Sequence, residues 1–143
     1  MPHKRFPPDD PREWLNRARS NLIRARMEQP GVYLEDLCFD AQQAAEKAIK
    51  ALLLHRGIPF PYVHDLVRLL DLLQQSGINI PERVREAVWL SDYAVEARYP
   101  GPAEPVTREE YQKALALAAN VVRWVESLLQ ENQSAGDQAD PTD

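Results

Sequence analysis

Apolar residues recur along this chain at three- and four-residue spacing, and no stretch alternates in the way a half-buried strand would. The clearest case is residues 35–54, EDLCFDAQQAAEKAIKALLL, which contain neither Gly nor Pro. Wound at helical pitch, Leu37, Cys38, Ala41, Ala44, Ala45, Ala48, Ile49, Ala51 and Leu52 share an arc about 160° wide that holds no polar side chain. Asp40, Gln42, Gln43, Glu46, Lys47 and Lys50 lie opposite, with Phe39, Leu53 and Leu54 among them. The pattern predicts a central helix with a second face that is polar without being purely solvent-like. Phe39, Leu53 and Leu54 would form a costly wet patch, so they are expected at an interface.

Four further helices are expected. Asp10-Pro11 supplies an N-cap and a proline at the first helical position. Trp14, Leu15, Ala18, Leu22 and Ala25 then mark the apolar side of a helix over 11–29, stopped by Pro30-Gly31. The alanine-rich helix is placed at 32–56. Leu66, Leu69, Leu70 and Leu73 predict a helix over 64–76, opened near His64-Asp65 and closed by Ser76-Gly77. Pro81 opens a helix to 98, with Val84, Val88, Ser91 and Val95 on one side and Ala87, Leu90 and Ala94 beside it. Thr107-Arg108-Glu109-Glu110 is a capping-box sequence. It precedes the stripe Tyr111, Ala114, Leu115, Ala118, Val121, Val122, Val125 and Leu129 of a last helix over 107–131. The fold class is all-α, an antiparallel bundle of about five helices, four long and one shorter. Residues 1–10, with three prolines and no periodicity, read as a flexible arm. Residues 131–143 read as a disordered tail.

Bulk properties narrow the function. The 143 residues suffice for one domain over 11–130, and no apolar run is long enough to cross a membrane. The first residues, MPHKRFPPDDPREW, lack the apolar core of a secretory signal. Cys38 is the only cysteine and lies on the apolar arc, which fits a buried thiol in a reducing cytoplasm. A net charge of −5 argues against general non-specific binding to nucleic acid. It leaves room for a local basic side. Residues 11–26 carry Arg12, Arg17, Arg19, Arg24 and Arg26 against Glu13 alone, in two sets at seven-residue spacing. These form either a solvated face or one turned to phosphate.

Familiar catalytic signatures are missing. There is no glycine-rich phosphate loop, paired-histidine metal motif or nucleophile elbow. His3, His55 and His64 have no metal-ligand spacing, and nothing calls for a cofactor. Glu46 and Lys50 stand at i and i+4 in the order that favours a surface ion pair, and Lys47 with Lys50 is the alternative as a phosphate contact.

The combination of CFDAQQAAEKAIKALLLHRG, then HDLVRLL, then SDYAVEARYPG and a closing helix ending RWVESLL resembles the HEPN family (higher eukaryotes and prokaryotes nucleotide-binding domain) over about residues 11–130. The resemblance implies an antiparallel helical bundle, commonly dimeric. It also implies a small "minimal nucleotidyltransferase" as partner, in a pair resembling a toxin–antitoxin module. Carried over residue by residue, it marks Gln42, Gln43, Glu46, Lys47, Lys50, His64, Asp65, Arg98 and Tyr99 as nucleotide- or phosphate-binding candidates. Active family ribonucleases carry an Arg, four to six residues, then a His. Here no His follows Arg98, so the motif is absent and the group expected to move a proton is missing. A binding module paired with the nucleotidyltransferase is therefore expected first. A metal-independent endoribonuclease using His64 and Arg98 is the enzymatic alternative, and a structural dimer without ligand the third.

Overall fold

The computed structural model describes residues 4–94 and 105–139, with side chains as far as 130. It is all-helical, with no strand among the described residues. The helices are α1 (Pro11–Ala25), α2 (Leu34–His55), α3 (Leu66–Gln75), α4 (Glu82–Arg85, continued by a 3-10 segment Glu86–Tyr93) and α5 (Arg108–Ala139). α2 is the centre, packing most extensively on α1 and then on α5. The reason is its small side chains. Ala41, Ala44, Ala45, Ala48 and Ala51 are all fully buried and allow close approach of neighbouring helices.

Local chemistry sets the ends. The Asp10 carboxylate accepts the Arg12 backbone N–H and caps α1. Asp65 does the same for α3 through Val67 N–H. α1 ends at Ala25, short of the expected 29, as the Arg26 N–H turns back to the Ile23 and Arg24 carbonyls. The chain then reverses through Gly31, whose φ of 89° suits glycine.

Three expectations are corrected. The fourth helix is an α-turn followed by 3-10 helix, not one α-helix to residue 98. With three residues per turn, Val84, Ala87, Leu90 and Tyr93 form one buried line, and Val88 is left half-buried. The Ser91 hydroxyl accepts Leu66 N–H, and the Tyr93 hydroxyl donates to Glu110, fixing this line to α3 and α5. Val95 and the rest of the expected helix lie outside the described residues.

The arm is also not loose over its described part, residues 4–10. The buried Glu13 carboxylate accepts the Phe6 backbone N–H at 3.0 Å and pairs with Arg5 and Arg17. Trp14 Nε1 donates to the Pro8 carbonyl, and Asn16 to that of Lys4. Finally, α5 stays helical to Ala139, where a tail without structure is expected after 131. Glu131, Gln133, Ala135, Gln138 and Ala139 are good helix formers, and the backbone continues through Asn132, Ser134, Gly136 and Asp137 as an extension of the helix nucleated by the core.

Candidate functional site

The polar side of α2 divides into two stripes with different neighbours. Gln42, Glu46 and Lys50, at i, i+4 and i+8, run beneath the α2–α3 connection. Asp40 and Lys47 face α1.

Glu46 is the hub of the first stripe. Its carboxylate accepts Gln42 Nε2 at 2.9 Å and Lys50 Nζ at 2.8 Å. It also meets His64 Nδ1 at 3.0 and 3.2 Å. An ionised carboxylate only accepts, so Nδ1 carries the proton. Nε2 of His64 has no hydrogen bond among the described residues, and the side chain is 64% exposed. Gln42 also donates to the His64 carbonyl, and Gln43 to Gln42 Oε1. Burial pushes the Glu46 carboxyl up, but the hydrogen bonds from Lys50, Gln42 and His64 and the Lys50 charge outweigh it and leave it below the usual range. Lys50 is enclosed as well. Its ammonium lies 5.9 Å from the Trp14 ring centroid and 5.6 Å from that of Phe60, and the two rings meet edge to face.

The Glu46–Lys50 pair is thus buried, with side chains 4% and 6% exposed, and not the surface pair its spacing suggests. Lys50 is spent on Glu46 and the two rings and is closed to an outside phosphate. Gln42 is fully buried too. Asp65, expected among the binding residues, serves its own helix as a cap. Leu53 is fully buried inside the chain and does not belong to an external interface, while Phe39 and Leu54 are half-buried. Arg98 and Tyr99 lie outside the described residues.

The second stripe is more open. Lys47 Nζ lies 2.8 Å from Asn21 Oδ1, and Asn21 Nδ2 donates to Asp40. Arg24 stands 3.5 Å from the same Asp40 oxygen. Burial lowers the Lys47 pKa, and the positive charges of Arg17 and Arg24 lower it further against the pull of Glu46 and Asp40. Burial raises that of Asp40 in spite of Arg24. Lys47 thus lies near two arginines where α1 packs on α2, Arg17 paired with Glu13 and Arg24 with Asp40. Sequence reasoning missed Asn21. Its signal was a polar residue among the buried positions Ala18, Leu22 and Ala25. Among the described residues no group of His, Cys, Asp and Glu is arranged to hold a metal ion, and no helix is long and apolar enough to cross a membrane.

The HEPN domain model matches residues 11–128. A Methanocaldococcus jannaschii protein named "Putative toxin MJ1304" is 24% identical over 136 residues, covering 82% of this chain and 87% of that protein. The crystal structure of TT1696 from Thermus thermophilus is 40% identical, with a TM-score of 0.64 over 82% of this chain and 96% of its own. That of ST0689, an archaeal HEPN homologue, is 28% identical, with a TM-score of 0.68 over 83% and 97%. With the same helical bundle and a family match running from the first residue of α1 to residue 128 in α5, this chain belongs to the HEPN domain family.

Proposed function

We propose that this chain is a nucleotide- or RNA-binding and protein-interaction module, one half of a toxin–antitoxin-like pair whose other half is a minimal nucleotidyltransferase. The observation that carries the binding reading is the cluster of Arg17, Arg24 and Lys47. A half-buried ammonium, disfavoured first by its burial and then by two nearby guanidinium groups, is stabilised when a phosphate enters. Gln43, half-buried on the same helix, supplies a further polar contact. The relative named a toxin supports the toxin-like role, and the family resemblance supports the nucleotidyltransferase. A second copy of the chain would cover the half-buried Phe39 and Leu54.

A specific observation favours an enzymatic second reading. Glu46 holds His64 by Nδ1 and leaves Nε2 exposed, as a carboxylate orients a general base. In that reading His64 would take the proton of a ribose 2′-hydroxyl without metal.

One experiment separates them. Purified protein is incubated with total RNA, with and without EDTA, and binding and integrity are read together for Lys47→Ala and His64→Ala. The binding module leaves RNA intact. It loses affinity on Lys47→Ala by the worth of a charge-assisted hydrogen bond, about 1.5–3 kcal/mol, and weakens with salt. Cleavage in EDTA that stops on His64→Ala establishes the enzyme instead. Neither binding nor cleavage leaves a structural dimer.

A further inference from the structure

α1 and α5 flank α2 and leave between them an open groove of roughly 380 Å³. It is separate from the Lys47 cluster. Ile23 and Val122 line it, and Ile23 is 54% exposed. Leu22 and Ala119 complete the aliphatic lining and, like Val122, are buried. Arg26 and Arg123 line the same groove, and neither has a carboxylate partner among the described residues. Arg123 donates only to the neutral Asn120. The one acid in the lining, Glu126, is taken by Arg19 at 2.5 Å, and this ion pair crosses the groove. An aliphatic strip with two uncompensated cations on a chain of net charge −5 is a local inversion of the protein's own charge.

We propose that this groove docks an amphipathic helix of a partner protein, with aliphatic residues along its centre and Glu or Asp along its edges. A groove between two helices accepts a third through i, i+3, i+4 and i+7 anchors. Ile23 and Val122 match the anchors, and Arg26 and Arg123 match the acidic edges. RNA would use the arginines but leave Ile23 wet, since bases stack on aromatic faces and the groove lining offers none. A second copy docked through the same groove would bring a face with two uncompensated arginines and no free acid, since Glu126 is held by Arg19.

The test uses the full chain and two labelled synthetic helices of about 18 residues with the same leucine stripe, one edged with Glu and one with Lys. Fluorescence anisotropy is expected to show binding of the Glu-edged helix and none of the Lys-edged one. Ile23→Ser and Arg26→Glu should each weaken binding by about tenfold or more, whereas Arg83→Glu, the same charge change elsewhere on the surface, should not. Circular dichroism confirms that the variants stay folded. Equal binding of both helices, or binding unchanged in Ile23→Ser, overturns the proposal. So does a single-stranded RNA probe that binds the groove arginines while the Glu-edged helix does not. Light scattering that shows a dimer broken by Ile23→Ser would make the occupant a second copy and also overturn it.

Discussion

Lys50 Nζ lies 2.8 Å from Glu46 Oε2 in a setting where neither side chain is more than 6% exposed. Removing one member leaves the other charged and out of water. Lys50→Met is expected to destabilise the fold by about 3–5 kcal/mol, as for other broken buried pairs. Combining it with Glu46→Gln should recover a large part of that loss, because no unpaired ion remains. Urea denaturation of the two single variants and the double variant checks this. Equal losses in single and double variants would contradict the coupling.

Acid should reach the same carboxylate. The Glu46 pKa is lowered in the fold, so its contribution is present above the unfolded value near 4.5 and is lost as pH falls through the lower folded value. Asp40 runs the other way. Its raised pKa favours the fold below the unfolded value of 3.8, and that contribution is lost as pH rises through the folded one. Stability against pH should therefore flatten at its acid end in Glu46→Gln and steepen there in Asp40→Asn. Thermal melts between about pH 3 and 7 measure both slopes.

Alkali tests the binding cluster. Lys47 must be protonated to hold a phosphate, and in the free protein its pKa lies below the usual 10.5. Affinity for a single-stranded RNA should thus decline as pH rises through that lowered value, earlier than for an ordinary lysine. Lys47→Arg keeps the charge throughout and should remove the decline. A titration of affinity from pH 7 to about 10 reads the difference, and a flat profile for the unaltered chain would rule Lys47 out as the contact.

Glu13 ties the arm to α1 through the Phe6 backbone amide and Arg5, its carboxylate steadied by Arg17 of the same helix. Glu13→Ala should release residues 4–10 while leaving the bundle folded. Limited proteolysis should then cut after Lys4 or Arg5 several-fold faster than in the unaltered chain, with little change in the far-ultraviolet dichroism. Unchanged protection would show that Trp14 and Asn16 suffice.

Legibility in the sequence differs from residue to residue. The alanine stripe, the Asp10 and Asp65 caps and the leucines of α3 were readable, because local periodicity and capping decide them. The Glu46–Lys50 pair was visible as spacing, but its burial was not. Burial depends on Trp14 from α1 and Phe60 from a loop closing over it, and helical periodicity says nothing of either. The arm was misread for a similar reason: proline content marks an irregular backbone, but a buried carboxylate seven residues on can still hold it. The 3-10 line of Val84, Ala87, Leu90 and Tyr93 was present at three-residue spacing. It was masked by the series Val84, Val88, Ser91 and Val95, whose alternating four- and three-residue steps read as α-helix.

The close packing of α1 on α2 also sets an order of events in time. The two helices are neighbours in sequence, so the loop that must close to join them is short and its entropic cost small. α5 has to return from the far end of the chain to pack on α2. The α1–α2 hairpin should be formed at the barrier crossing and α5 should lock down afterwards. A change such as Ala45→Gly would then slow refolding in stopped flow, whereas Val125→Ala would chiefly hasten unfolding. During synthesis the hairpin would emerge with its α5-facing side uncovered, and that interval is when the growing chain is most exposed to aggregation.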